Sequence, residues 1–140
     1  MQPQNHQPRE FSEHITAVSA DFMKIFNQSQ VAEKLGLSEI AGPGYRKSLE
    51  FLIKDYSISK KPEASDDIKQ KLLSKVIKDY VTDTKIKSTA SRAAWLGNDE
   101  THYYRKWEDK DIKDLKILIE LTVRWIESEE LTRIYVEDMP

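Results

Sequence analysis

The side chains most capable of chemistry concentrate in one stretch, Ser91-Arg92-Ala93-Ala94-Trp95-Leu96-Gly97-Asn98-Asp99-Glu100-Thr101-His102-Tyr103-Tyr104-Arg105-Lys106-Trp107. A histidine, two arginines, an asparagine, two tryptophans and two tyrosines fall within these 17 residues. His102 is of the residue type most often used for general acid–base work. Asn98, one turn earlier on a helix, is placed to orient the imidazole or to bind a phosphate oxygen. Arg92 and Arg105 offer positive charge of the kind that stabilises a phosphodiester transition state. A purely structural reading fits the same stretch. Gly97 then ends one helix in a left-handed conformation, Asn98 caps the next, and Asp99 and Glu100 sit at its positive end. The aromatics become core and rim. The readings are compatible, because a helix start also favours an anion.

Other chemistries are excluded or find no support. The chain has no cysteine, so it has no disulfide, thiolate metal site or cysteine nucleophile. Its three histidines, His6, His14 and His102, are far apart, and no spacing points to a metal or any other cofactor. The turn-like Gly42-Pro43-Gly44 is a weak phosphate cradle, because Pro43 removes a donor. Twenty-two Lys and Arg oppose 24 Asp and Glu, a net of −2, so bulk attraction to nucleic acid or to a membrane is not implied. Mean hydropathy is −0.66, and no apolar run approaches the roughly 20 residues a membrane span needs. The start, Met1-Gln2-Pro3-Gln4-Asn5-His6-Gln7-Pro8, lacks a basic and then apolar pattern. A cytoplasmic protein is expected.

The elements that must position these residues read as helices throughout. A length of 140 residues fits one domain that buries about two-thirds of its unfolded surface. Residues 1–10 are expected to form a flexible tail and residues 11–140 a single domain. Phe11, Ile15, Val18, Phe22 and Ile25/Phe26 lie on one helix face, with Ser12 at its start and Gly36 as its stop. Gly42-Pro43-Gly44 predicts a turn, after which Pro43 opens a helix carrying Tyr45, Leu49, Leu52, Ile53 and Tyr56 inward. Arg46, Glu50 and Lys54 form a charge row on its other side. Ile68, Leu72, Val76 and Tyr80 predict one continuous third helix capped at Ser65. Thr82-Asp83-Thr84 breaks it from a fourth segment, whose Ala90, Ala93 and Ala94 invite close helix approach. Residues 59–87 carry eight Lys against five acids, either a solvated face or a basic contact strip on the third helix. Residues 127–138 carry five acids against one Arg. From Asp109 the alternation of Ile117, Ile119, Leu121, Val123 and Trp125 is strand-like. No turn residue interrupts it for about 20 residues, so a helix is read, the central and most buried one.

Two blocks resemble a known family. One is Gly42-Pro43-Gly44-Tyr45-Arg46-Lys47-Ser48-Leu49-Glu50-Phe51-Leu52-Ile53-Lys54-Asp55-Tyr56. The other is Arg92-Ala93-Ala94-Trp95-Leu96-Gly97-Asn98-Asp99-Glu100-Thr101-His102-Tyr103 with Arg105-Lys106-Trp107. Both are similar to bacterial proteins of domain of unknown function 4145, grouped with the HEPN superfamily of helical bundles. The resemblance spans roughly residues 20–140. It implies an all-α, HEPN-like antiparallel bundle of four main helices with a shorter helical element. It also implies a homodimer and a place in bacterial conflict or defence systems. Many HEPN proteins cleave RNA without metal, using an Arg followed four to six residues later by a His. His102 matches that histidine and Asn98 the polar residue after the arginine, but Gly97 stands at the arginine position, and glycine cannot hold a phosphate. The resemblance therefore implies a non-catalytic module that binds protein, RNA or a nucleotide, with Tyr103, Arg105 and Lys106 as contact residues. The alternative is an endoribonuclease using His102, with Arg92 or Arg105 as the substitute cation. The aromatics Trp95, Tyr103, Tyr104 and Trp107 are the expected dimer anchors.

Overall fold

The structure, a computed structural model, describes residues 7–140. Among these residues it is all-helical, with no strand. Seven helices follow in order: α1 (Glu13–Val18), α2 (Ala20–Lys34), α3 (Ser38–Lys60), α4 (Ser65–Gln70), α5 (Leu73–Tyr80), α6 (Thr84–Thr101) and α7 (Ile112–Asp138). A 3₁₀ turn, Pro62–Ala64, joins α3 to α4. The four long helices are α2, α3, α6 and α7. Of the tail expected over residues 1–10, residues 1–6 with His6 lie outside the described residues. Arg9 is anchored, its guanidinium on Glu120 at 2.9 Å and its backbone N–H donated to Asn27 Oδ1.

Local signals set several helix ends. The Ser12 hydroxyl accepts from the Ile15 N–H and caps α1. Gly36, at φ 79°, closes α2, with the Leu37 N–H donated to the Ala32 carbonyl. Asp83 caps α6 by accepting from the Lys85 and Ile86 N–H groups at 3.0 and 2.9 Å. Asp111 and Asp114 exchange bonds in a capping box at the head of α7.

Other expectations are corrected. The first helix is not continuous: the chain straightens at Ser19 (φ −155°, ψ 94°), which ends α1 and caps α2 by accepting from the Phe22 N–H. The same hydroxyl donates to Asp55 on α3. Burial pushes the Asp55 carboxyl up, and the Ser19 bond opposes it. Losing a hydroxyl that both caps α2 and binds Asp55 of α3 makes Ser19→Ala cost about 1–2 kcal/mol. An unchanged urea midpoint in that variant would refute the double role. The third helix is also split, because Leu72 is extended (ψ 145°) and 71 % exposed. Ser65 is the first residue of α4 rather than its cap. The basic strip therefore does not run along one helix, and Lys71 is drawn into ion pairs with Asp67 and Asp79 at 2.9 and 3.0 Å.

Gly42-Pro43-Gly44 is not a turn but lies inside α3. Pro43 gives up one helical bond there, to the Glu39 carbonyl. The glycines serve packing: a Cβ on Gly42 would meet the Glu100 carboxylate of α6, and one on Gly44 would meet the Ser29 hydroxyl of α2. So α3 is the hub, wedged between α2 and α6. Tyr45, Leu49, Leu52 and Ile53 on it are fully buried. Phe11, Phe22, Phe26 and Tyr45 form an aromatic chain with centroids 4.9–5.7 Å apart. The Tyr45 hydroxyl donates to Glu33, which also holds Lys116 of α7 at 3.1 Å. The helical reading of residues 116–126 agrees with the structure, but α7 is not the central helix. It buries one face, Leu115, Ile119, Thr122, Val123 and Ile126, while Ile117 stays 58 % exposed.

Candidate functional site

The cluster of residues 91–107 spans the last turns of α6 and the non-helical segment 102–110 that follows. Gly97 does not end a helix, and Asn98 does not cap one. Helix α6 runs through both to Thr101, because Gly97 is a contact point: a Cβ there would come within 2.5 Å of Arg46 Cγ. The same arginine donates from Nε to Asn98 Oδ1 at 3.3 Å and pairs with Glu50. Glu50 also binds Lys54 at 2.9 Å. Burial alone would raise the Glu50 carboxyl, but these two cations hold it below the usual range. The charge row on α3 is thus both a helix-face ladder and a clamp on α6.

Asp99, only 6 % exposed, organises the segment beyond α6. Its carboxylate accepts from the backbone N–H of Lys106 at 3.1 Å and of Trp107 at 2.6 Å. Charge-assisted bonds of this kind are among the stronger ones. They fold the segment back so that Trp107 stacks on Trp95 of α6. The ring centroids are 6.2 Å apart and the planes 10° from parallel. Arg92 lies against the Trp95 ring at 5.4 Å and Lys106 against Trp107 at 6.0 Å. Both rings stay accessible, Trp95 at 44 % and Trp107 at 36 %. Asp99 escaped the sequence reading because it looked like a first-turn acid. Its signal was the inward stripe Ala93, Leu96, whose next step of three is Asp99.

Two recesses flank this aromatic plate. The first, about 340 Å³, is apolar: Leu96, Ile117 and Leu118 lie beside the tryptophans, with Arg92, Lys110 and Asp114 at its margin. The second, about 770 Å³ and open, is lined by Asn98, Asp99, His102, Tyr104 and Lys106 together with both tryptophans. The structure thus gathers Asn98, His102 and Lys106 on one hollow. Arg92 is not there. It lies ten residues before His102, about 15 Å along the helix axis, and its guanidinium bonds Ser88. Arg105 is turned to the far side, in an ion pair with Glu100 at 2.8 Å. Together with Tyr103, which is fully exposed, it lines a third hollow that His102 also borders. Among the described residues no group of three acids or histidines is close enough to hold a metal ion. No helix among the described residues is long and apolar enough to cross a membrane.

Fold and site together define an all-helical protein with an exposed aromatic plate edged by cations. Comparison of the chain with protein-family models, with curated proteins and with solved structures returned no match.

Proposed function

We propose that this protein is a non-catalytic, HEPN-like helical module that binds an unpaired nucleotide, free or within single-stranded RNA, on the Trp95–Trp107 plate. The observation that carries the reading is the stacked, accessible indole pair with Arg92 and Lys106 against its rings. Nucleobases stack on such surfaces whatever their identity, and flanking cations meet the phosphate. Lys106, Asn98 and His102 line the hollow beside the plate and offer donors to a phosphate there. A net charge of −2 makes stacking, not phosphate neutralisation, the main source of affinity, so salt dependence is shallow. The HEPN-like assignment and a role in bacterial defence rest on the sequence resemblance.

The geometry favours binding over cleavage. Arg105 is committed to Glu100, and Arg92 is a long way from His102 along α6. Tryptophan fluorescence titrations with adenosine monophosphate and with a short single-stranded RNA test the reading. Both quench the wild type, and Trp107→Ala weakens binding about tenfold or more, the usual loss when one stacking aromatic is removed. Quenching by RNA alone identifies the longer ligand. No quenching by either, or a Trp107→Ala variant that binds equally well, removes the proposal. So does EDTA-resistant RNA cleavage that is lost in His102→Ala.

A further inference from the structure

The outward face of α7 carries a seam that nothing among the described residues covers. Ile117, Leu121, Arg124, Ser128, Leu131 and Tyr135 recur at steps of four, three, four, three and four, the 3.5-residue repeat of a coiled-coil seam. They stand opposite the face that α7 buries against the body. All but the half-buried Leu121 are exposed. Two shallow grooves lie along the seam, one bordered by Ile117, Leu121 and Arg124 and one by Ser128, Leu131 and Tyr135.

The charges on α7 say what covers it. Most are already satisfied within the chain: Lys116 by Glu33, Glu120 by Arg9, Glu129 and Glu130 by Lys60, and Arg133 by Glu130 and Glu137. Asp114 belongs to the capping box. Four have no ion-pair partner among the described residues, the cations Lys113 and Arg124 and the anions Glu127 and Asp138. The cations lie in the first half of the helix and the anions in the second.

We infer that α7 pairs antiparallel with α7 of a second copy of this chain. One register satisfies both patterns. With Ile117 set against the other copy's Tyr135, Leu121 falls against Leu131 and Arg124 beside the small Ser128. In that same register Arg124 comes level with Glu127 and Lys113 with Asp138. A two-fold repeats every one of these pairs, so the surface is self-complementary, as an isologous dimer requires. A different partner would have to reproduce both the apolar spacing and the inverted charges. The dimer surface is then α7, not the Trp95, Tyr103, Tyr104 and Trp107 cluster, which stays open to a ligand.

Sedimentation equilibrium at tens of micromolar tests this, with circular dichroism confirming the fold of each variant. Wild type sediments as a dimer at twice 16.3 kDa. Arg124→Glu sets like charges together and weakens the dimer at least tenfold. The double variant Arg124→Glu, Glu127→Arg restores it, which happens only if the two positions meet across the two-fold. Because the chain has no cysteine, an equimolar mixture of Leu121→Cys and Leu131→Cys chains oxidises mainly to the mixed disulfide. A monomeric wild type overturns the inference, as does a dimer that ignores Arg124→Glu or a double variant that stays dissociated. A dimer lost with Tyr104→Glu but not with Arg124→Glu returns the interface to the aromatic cluster. Nucleotide binding is measured separately and is unaffected by Arg124→Glu, so failure of the dimer leaves the binding reading standing.

Discussion

Gly97→Ala will destabilise the protein by about 1–3 kcal/mol, although the same exchange inside an unobstructed helix stabilises by about 1 kcal/mol. The sign reverses because of where the new methyl group lands. It would lie 2.5 Å from Arg46 Cγ and 2.9 Å from Arg46 Cβ, next to the α3 backbone. Those atoms cannot swing aside as the tip of a side chain can, so α3 and α6 must separate. Arg46 then loses its bond to Asn98, while its pairing with Glu50 inside α3 can persist. Gly97→Arg, which would place an arginine at the position where the resembled family carries one, meets the same obstacle. It will destabilise further and bring no RNA cleavage. Gly42→Ala is the control. Its methyl meets the Glu100 side chain from Cγ outward, which can rotate aside, so it costs less, and its main effect is to displace Glu100 from Arg105. Urea midpoints for the three variants check the order. A Gly97→Ala protein as stable as wild type would mean that the helices are not in close contact there.

Asp99→Ala will open the segment between α6 and α7 and dismantle the aromatic plate. The substitution leaves the Lys106 and Trp107 N–H groups without their acceptor, each costing about 1–3 kcal/mol if it stays buried. The segment can avoid that cost by unfolding locally into water, so the loss appears there more than in global stability. Trp107 then leaves Trp95. The near-ultraviolet dichroism of the stacked indoles will collapse, and exchange of the Lys106 and Trp107 amides will accelerate. Nucleotide binding will fall at least as far as in Trp107→Ala, while the far-ultraviolet helix signal stays. Asp99→Asn keeps one acceptor oxygen and should fall between. Unchanged indole dichroism in Asp99→Ala would show that the stack holds Trp107 without the carboxylate.

The candidate site was half legible in the residues themselves. The density of His102, Asn98 and the aromatics singled out the 17 residues that form the aromatic plate and its hollow, because an aromatic and cationic mixture on a polar segment is unusual wherever it folds. What each residue does there was not legible. Gly97 and Asn98 look like a helix end followed by a cap, and in isolation that is their ordinary use. Arg46 and Asn98 meet across two helices, and nothing in either neighbourhood announces the contact. Arg105 reads along the chain as an available cation, and only the fold pairs it with Glu100.

By itself the sequence determined what depends on neighbours within a turn or two. The helical periods, the Ser12 start, the break at residues 82–84, the left-handed stop at Gly36 and the helical state of residues 116–126 are of this kind. Their energies arise between residues three or four apart, so the pattern carries them. Tertiary structure alone decided where helices break and which one lies at the centre. Ser19 and Leu72 interrupt faces that are periodic straight through them, because the chain turns there so that α1 reaches α7 as well as α3, and α5 reaches α6 as well as α3. Gly42, Gly44 and Gly97 are read locally as turn and stop. Their actual role is to lack a Cβ where Glu100, Ser29 and Arg46 arrive from other helices. A missing side chain signals flexibility along the chain but close approach across it, and only the packed fold distinguishes the two.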